Sequence, residues 1–316
     1  MTKDFVNNLK CSENLHLILQ DLIKLQNMQL FFLGGFIKSG TTWIERLLDA
    51  HPEIACKGEA HFPSLLEPAV RKSIAQYNSV IPNKGNWERL KNEDMQQIQA
   101  SEYCYTEKDF DNISTMSIQL LMSKWCNESK IRAVGEKTPN NAQYFPRLLQ
   151  LFPGAKYIYI VRDIRDVIVS GWFFNLALDS AGTMSEFRSI HHYGIVIAQN
   201  WVQELANTLK FVEQYNSQAM VIKYEDLWHD PQKNTGNLLQ FLAVKNTEEL
   251  VKSCLHKTNF STLSGGRKRG NENRGSFYRK GIIGDWKNHL KHETLVEIEM
   301  YCGAMLDHLD YEQYRP

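Results

Sequence analysis

The segment that most constrains the fold is a short apolar run followed by two glycines. Residues 30–33, Leu-Phe-Phe-Leu, have the composition of a strand that is buried on both faces of a parallel sheet. Gly34 and Gly35 predict a turn at the end of this strand, and residues 41–50 predict an amphipathic helix soon after it. A strand, a glycine turn and a helix in this order make half of a βαβ unit. The chain is therefore expected to build a sheet whose strands are connected by helices.

Other segments continue this alternation. Residues 157–161 and 220–224 are apolar runs that predict two more buried strands. Apolar residues recur at helical spacing over residues 13–27 and 193–215, which predicts two helices. The pattern predicts an α/β fold with a central, mainly parallel sheet that is flanked by helices. We expect residues 1–316 to form a single domain.

Two stretches predict little regular structure. Residues 61–110 are more polar and irregular. Residues 264–276 are rich in Gly, Arg and Asn, which predicts a loop. Neither stretch contains an internal repeat or a low-complexity tract.

The balance of charge argues against two broad classes of protein. The 36 basic and 36 acidic residues give a formal net charge of zero, whereas binders of nucleic acid or of membrane surfaces depend on an excess of Lys and Arg. No apolar run is long enough to span a bilayer, and the first residues lack an apolar signal segment. Six cysteines lack metal-ligand spacing and are expected to be reduced thiols. We therefore expect a cytoplasmic protein with no nucleic acid, membrane or metal partner.

The segment between the first strand and its helix has the residues of an anion-binding loop. Residues 35–43 lie where α/β folds bind phosphates, at the carboxyl end of a strand and the N-terminus of a helix. The hydroxyl groups of Ser39, Thr41 and Thr42 would add hydrogen-bond donors to the backbone N–H groups, and Lys38 would add a positive charge. Taken alone, a glycine turn before a Ser/Thr-capped helix explains the segment nearly as well.

The order of residues in this loop separates it from the loop of P-loop kinases. In the kinase loop, Lys directly follows the second glycine and precedes Ser or Thr. Here Thr41 follows Gly40, and Lys38 comes before it. The run from Lys38 to Trp43, Lys-Ser-Gly-Thr-Thr-Trp, closely resembles the 5′-phosphosulfate loop of the sulfotransferase family. That resemblance implies that Trp43 stacks on an adenine ring.

A second segment resembles the same family. Arg162 closes the strand of residues 157–161, and Ser170 follows it in the next helix. The resemblance implies that both side chains bind a 3′-phosphate on the nucleotide. The residues alone are explained at least as well by an ion pair of Arg162 with Asp163 or Asp166.

A third segment near the C-terminus completes the family's order of motifs. Residues 278–288 read Tyr-Arg-Lys-Gly-Ile-Ile-Gly-Asp-Trp-Lys-Asn and resemble the corresponding stretch of the cytosolic sulfotransferases. The resemblance implies that Arg279, Lys280 and the Gly281 amide also reach the 3′-phosphate. Without it, two adjacent basic residues predict a solvated surface.

Weaker matches concern the nucleoside. Residues 221–226 resemble the strand whose tyrosine, here Tyr224, lies near the adenine edge. Thr258 and Phe260 resemble the family's Thr-Ser-Phe element, with Asn259 in the place of the serine. Core packing explains Phe260 equally well.

The resemblance implies a reaction. The co-substrate would be 3′-phosphoadenosine-5′-phosphosulfate (PAPS), and the product nucleotide would be adenosine 3′,5′-bisphosphate (PAP), with no metal. The sulfonate would pass to a hydroxyl group, or to an amine or guanidine nitrogen, of a small-molecule acceptor, as in bacterial sulfotransferases that tailor natural products. The alternatives are a P-loop kinase of nucleosides or adenylylsulfate, and a catalytically silent nucleotide-binding protein. The oligomeric state is left open.

The sequence departs from the cytosolic branch at the catalytic base. That branch has a histidine after its Lys-Thr pair, and here Pro139 stands in its place and cannot take a proton. Glu59 lies at the spacing from Lys38 of the catalytic glutamate in the heparan and tyrosylprotein branches. His61 is the alternative base, because a histidine ordinarily titrates near neutrality. Lys137 occupies the lysine position of the Lys-Thr pair and, like Lys38, would contact the sulfonate.

Each of these side chains also has a purely structural interpretation. Glu59 could pair with Lys57 or cap a helix, and Lys137 could pair with Glu136. His61 could pack beside its neighbour Phe62. Aromatic residues could wall an acceptor pocket, although such residues are more often core. The candidates are Trp87, Tyr103, Tyr105, Trp125, Trp172 and Phe173.

Overall fold

The computed structural model describes residues 13–91, 104–126, 128–179 and 182–315. Its centre is a five-stranded sheet in the order β2-β3-β1-β4-β5, in which every neighbouring pair is parallel. The strands are β1 (Gln29–Gly35), β2 (Ile54–Gly58), β3 (Ala133–Lys137), β4 (Lys156–Val161) and β5 (Ala219–Lys223).

Helices connect and cover these strands. They are α1 (Glu13–Gln26), α2 (Thr41–Asp49), α3 (Glu67–Lys91), α4 (Glu107–Ser123), α5 (Phe145–Leu151), α6 (Ile164–Leu178), α7 (Ile190–Gln214), α8 (Tyr224–His229), α9 (Pro231–Phe241), α10 (Glu248–Lys257), α11 (Phe260–Leu263) and α12 (His292–His308). Short helical turns occupy Phe62–Leu66, Pro139–Tyr144, Thr183–Glu186 and Asp285–Asn288. Across the ranges given above, none of the helices is long and apolar enough to cross a membrane.

The sheet is buried on both faces, which explains why β1 and β4 contain continuous apolar runs. Successive residues of a strand point to opposite faces. Phe32 accordingly lies in one core cluster with Trp201 of α7, whereas Phe31 lies in a second cluster with Ile44 of α2. The predicted α/β class with a parallel central sheet is confirmed.

The sequence prediction was incomplete in three places. It missed β2 and β3, which contain Gly, Lys and Glu and are only five residues long. The interpretation of residues 61–110 as irregular was wrong for α3, a helix of 25 residues. Its weak apolar periodicity and its internal Pro82 and Gly85 concealed it, since both residues disfavour a helix interior. Residues 264–276 contain neither helix nor strand, as predicted.

Gly135 is required by the packing of the central strands. It lies in β3 opposite Phe31 of β1. A Cβ atom at position 135 would come within 2.1 Å of the Phe31 ring. The ring lies between the sheet and its helices with no exposed surface, so it has no room to move aside.

We therefore predict that Gly135→Ala destabilises the fold by about 1–3 kcal/mol, the usual effect of overpacking a core. The measurement is urea unfolding followed by circular dichroism. Gly154→Ala is the matched control, because a Cβ atom there meets nothing within 4 Å; its free energy of unfolding should change by less than about 1 kcal/mol. Equal unfolding midpoints for the two variants would show that the sheet tolerates the extra atom.

Candidate active site

The loop between β1 and α2 has the backbone geometry of an anion-binding turn. Lys38 and Gly40 have φ angles of 64° and 101°, so the chain turns through two left-handed residues. Gly40 is required here, because a Cβ atom would lie 2.6 Å from the Tyr224 ring. Helix α2 begins at Thr41, and the N–H groups of a first helical turn have no carbonyl partner within the helix. The loop therefore directs free N–H groups and the positive end of a helix toward one point.

A cavity of about 440 Å³ lies over this loop. It brings together residues that are far apart in the sequence. From the loop, its wall contains Lys38, Gly40, Thr41, Thr42 and Trp43. From the strand ends and the following helices, it contains Glu59, Arg162, Ser170 and Tyr224. From the C-terminal part, it contains Thr258, Phe260, Arg279, Lys280 and Gly281.

Three other candidate residues lie just outside the cavity wall. Ser39 is fully buried under the loop, and its hydroxyl group has no hydrogen-bond partner among the described residues. The Lys137 ammonium lies behind Glu59, 2.6 Å from its Oε1 atom. The His61 Nε2 atom lies 3.7 Å from the other carboxylate oxygen of Glu59, Oε2.

The Lys38 ammonium sits in an aromatic corner of the cavity. Its Nζ atom lies 3.5 Å from the ring centre of Phe174 and 4.4 Å from that of Phe277. Both contacts are cation–π interactions. Burial, with a further contribution from the positive charge of Arg162, lowers the pKa of Lys38 to about 8, although Glu59 opposes the shift. The site therefore holds a desolvated cation that a negative ligand would stabilise.

Arg162 is held by backbone carbonyl groups rather than by a strong ion pair. Its guanidinium donates to the carbonyl oxygens of Lys38 at 3.3 Å and Ile282 at 3.1 Å. It lies 3.6 Å from Asp166 and stacks over the Tyr224 ring at 4.2 Å. Its Nε–H is buried and has no partner within the described part of the chain. Arg162 thus ties the phosphate loop to the C-terminal segment and keeps one donor unused.

The C-terminal basic pair is positioned by Asp285. Arg279 and Lys280 both donate to its carboxylate, Lys280 at 2.6 Å. Burial raises the pKa of Asp285, but the hydrogen bonds from Lys280, Arg279 and Asn288 outweigh it and hold that pKa well below its usual range. Asp285 is therefore a carboxylate that balances two cations at the cavity wall.

A second carboxylate, Asp166 of α6, anchors the same segment. It accepts hydrogen bonds from the backbone N–H groups of Gly284 at 2.7 Å and Trp286 at 3.0 Å. Burial raises the pKa of Asp166. This contact explains the Gly-Asp-Trp sequence, since it fixes the residues around Asp285 against the helix that carries Ser170.

Arg267 organises the loop that precedes the basic pair, and sequence analysis did not identify it. Its guanidinium donates to the carbonyl oxygens of Asn271 and Arg279 at 3.0 Å each, to that of Tyr278, and to the Ser276 hydroxyl. It stands among other basic residues in a polar loop, so no local pattern distinguished it from a solvated side chain.

Two of the reacting groups predicted from the sequence, Glu59 and Lys137, form a tight ion pair. Lys137 ends β3 and its side chain is 3% exposed, whereas the Glu59 side chain is 42% exposed. Lys137 also lies 3.5 Å from Glu45 and donates to the Thr42 hydroxyl at 3.4 Å, both on α2. One carboxylate oxygen of Glu59 is therefore bound to a buried cation, while its side chain faces the cavity.

The two ion pairs that the purely structural interpretation offered, Glu59 with Lys57 and Lys137 with Glu136, do not form. Glu136 does not pair with Lys137; it is fully buried and accepts hydrogen bonds from the Ala60 N–H, the Thr138 hydroxyl and the Asn141 amide. Lys57 pairs with Asp49 at 2.8 Å instead of with Glu59. Neighbouring strand residues point to opposite faces, which separates Glu136 from Lys137.

The aromatic residues proposed for the acceptor pocket do not line this cavity where the structure describes them. Tyr105 packs against Tyr77, Trp125 against Phe62, Trp172 against Tyr193 and Phe173 against His289. Tyr103 and the side chain of Trp87 lie outside the described residues.

Other aromatic residues line the cavity instead: Trp43, Phe174, Tyr224, Phe260, Phe277 and Tyr278. Each residue of a helix is rotated by about 100° from the previous one, so α6 presents Phe174 to the cavity, whereas Trp172 and Phe173 are half-buried against other rings. Asn175 and Pro139 also line the cavity, although neither was proposed as a wall residue. Over the described ranges, no group of three or more His, Cys, Asp or Glu side chains could hold a metal ion.

The chain belongs to the family described as "Sulfotransferase domain", whose model matches residues 29–310. Human "Sulfotransferase 1E1" is 31% identical over 146 residues, which cover 42% of this chain and 49% of the relative. Rat "Sulfotransferase 1 family member D1" is 25% identical over 282 residues, 85% of this chain and 79% of the relative. The matched segment thus spans about half the length of the human relative.

Solved structures show the same fold. The structure of mouse sulfotransferase SULT7A1, solved in complex with PAP, matches with a TM-score of 0.56. The match covers 92% of this chain and 90% of the mouse chain, at 15% sequence identity.

Proposed function

We propose that this protein transfers a sulfonate group from PAPS to a small-molecule acceptor and releases PAP. The observation that carries the proposal is the meeting of two cationic groups of residues in one cavity. Lys38 and the α2 N-terminus form one group, and Arg162, Arg279 and Lys280 form the other. A nucleotide with phosphates at both its 5′ and 3′ positions has the charge distribution that this arrangement fits. Family membership and the PAP-bound mouse neighbour support the same donor.

The roles of the donor-binding residues follow from their positions. The loop N–H groups, Thr41, Thr42 and Lys38 would bind the 5′-phosphosulfate, because they converge at the helix N-terminus. Arg162, Ser170 and the basic pair would bind the 3′-phosphate through charge-assisted hydrogen bonds. The adenine would lie among four ring and hydroxyl residues of the wall, Trp43, Tyr224, Thr258 and Phe260. Glycine is required at position 281, because a Cβ atom there would lie 2.2 Å from the Phe260 ring.

The chemical step is a displacement at sulfur. The acceptor oxygen or nitrogen forms a bond to sulfur as the bond from sulfur to the bridging phosphate oxygen breaks, and the electron pair leaves with PAP. Glu59 takes the acceptor proton in this proposal, because it lines the cavity and His61 does not. Lys38 and Lys137 neutralise the charge that develops on the leaving oxygen and the transferred group. His61 would assist by orienting Glu59.

The proposed setting is the cytoplasm, with a small metabolite as the acceptor in the manner of natural-product tailoring. Five cysteines in the described ranges are free thiols, as is usual in a reducing compartment. They are Cys56, Cys104, Cys126, Cys254 and Cys302.

The proposal is tested by incubating the protein with sulfur-labelled PAPS and a mixed library of hydroxyl and amine acceptors. We expect label to appear in an acceptor and PAP to be released in equal amount. A kinase would instead transfer the γ-phosphate of ATP and require Mg²⁺. Binding of PAP without transfer of label to any acceptor would identify a silent nucleotide-binding protein and contradict the proposal.

Glu59→Gln should slow single-turnover transfer by about 10²–10⁴-fold, because glutamine keeps the shape of glutamate but cannot take the proton. The affinity for PAP should change by less than about threefold, since the donor is bound by other residues. His61→Ala is the matched control and should lose far less activity. If His61→Ala is inactive and Glu59→Gln remains active, the base is His61.

Lys38 should take up a proton when PAP binds at alkaline pH. With a pKa of about 8, its amine is largely neutral at pH 9, and a bound phosphate raises the pKa again. Calorimetry in buffers of different ionisation enthalpy should therefore detect uptake of up to roughly 0.9 proton at pH 9 and much less at pH 7. Lys38→Met should abolish this difference. Uptake that persists in the variant would assign the proton to another group.

A further inference from the structure

A second groove lies beside the active-site cavity and shares a wall with it. The groove has a volume of about 510 Å³, and Gly35, Phe36 and Ile37 line its inner side. Ile37 also lines the active-site cavity, so the two spaces adjoin at the residue before Lys38. A molecule bound in the groove would therefore reach the reacting groups across Ile37, which is 43% exposed.

One wall of the groove is a row of amides on α7. Asn200, Gln203 and Asn207 are spaced by three and four residues, which places them along one side of the helix. Within the described residues, none of the three side chains forms a hydrogen bond. Their donors and acceptors are therefore free to bind a ligand.

The opposite wall adds two more amides, Asn140 and Gln143, from the helical turn after β3. The Asn140 Oδ1 atom is buried without a hydrogen-bond partner in the part of the chain that the structure describes. A buried acceptor without a partner is costly, and a donor from a bound molecule would satisfy it.

A buried carboxyl group lies between these walls. Glu204 accepts from the Gln143 amide at 2.9 Å and from the Tyr159 hydroxyl at 3.3 Å. Burial raises its pKa. The Tyr159 hydroxyl also contacts the Phe36 backbone, which links the base of the groove to the phosphate loop. The groove wall otherwise carries no charged side chain.

We infer that this groove binds the polar part of the acceptor, and that this part is an uncharged or cationic group rich in hydroxyl or N–H donors, such as a polyol or an amino sugar. Amides both donate and accept, as hydroxyl groups do, so five amides suit several hydroxyl groups. An anionic group is disfavoured, because no basic residue lines the groove to neutralise it. The inference rests on the proposed function for the role of the bound group as acceptor.

The test uses four hexyl compounds that differ in their polar part: hexyl β-glucoside, hexyl β-glucosaminide, hexyl β-glucuronide and 1-hexanol. Binding to the full chain in the presence of PAP is measured by saturation-transfer NMR. We expect the glucoside and the glucosaminide to bind at least about tenfold more tightly than hexanol or the glucuronide.

The variant Asn200→Ala, Gln203→Ala, Asn207→Ala should lose this preference while it binds PAP normally. Alanine favours the helix, and no internal hydrogen bond is lost, so the fold should persist. Gln199→Ala, an exposed residue of α7 outside the groove, is the control and should keep the preference. Unchanged glucoside binding by the triple variant would overturn the inference, as would equal binding of hexanol by the native chain.

Transfer from sulfur-labelled PAPS separates this inference from the proposed function. Label transferred to acceptors at equal rates by the native chain and the triple variant would contradict the groove and leave the proposed function intact. A glucoside preference that depends on the three amides, without transfer to any acceptor, would support the groove as a binding site and contradict the proposed function.

Discussion

The buried ammonium of Lys137 is the constraint on which the reacting part of the site depends. An unpaired charge with 3% exposure would cost several kcal/mol, so its partners must be held in place. Glu59 follows β2, while Glu45 lies on α2, and both carboxylates are within 3.5 Å of Lys137 Nζ at the end of β3. Three neighbouring elements thus meet at one cation. This arrangement fixes the candidate base relative to the phosphate loop before any substrate arrives.

In the part of the cavity proposed to bind the nucleotide, carboxylates balance a group of cations. Arg162, Arg279 and Lys280 would repel one another if they were left alone. Asp285 holds the basic pair, and Asp166, 3.6 Å from Arg162, offsets the charge of a guanidinium that backbone carbonyl groups hold in place. Asp166 also fixes the backbone of the C-terminal segment against α6, because it accepts from the N–H groups of Gly284 and Trp286. The cavity therefore has its cations already oriented, and a phosphate can bind them without paying for their assembly.

The sequence predicted the parts of this site whose geometry is local. Lys38 was identified because a strand end, a turn and a helix start determine its position within a few residues, whereas the phosphate-binding roles of Arg162 and Arg279 were predicted from the resemblance to the sulfotransferase family. The partners were not predictable: Lys137 with Glu59, and Asp166 with Gly284, join segments 78 and 118 residues apart. The sequence prediction named Trp172 and Phe173 as wall residues instead of Phe174. The rotation of the helix, and not the residue type, decides which of these aromatic rings faces the cavity. The groove beside α7 could not be predicted from the sequence, because exposed amide side chains are common on helix surfaces.

The two cationic groups are proposed to bind a nucleotide with phosphates at both the 5′ and the 3′ position of its ribose. Isothermal calorimetry with PAP and with adenosine 5′-monophosphate tests this without knowledge of the acceptor. Contacts from charged donors to a phosphate each contribute about 1.5–3 kcal/mol, so PAP should bind at least about tenfold more tightly. Equal affinities for the two nucleotides would mean that Arg162, Arg279 and Lys280 do not bind a 3′-phosphate, and would contradict the proposed donor site.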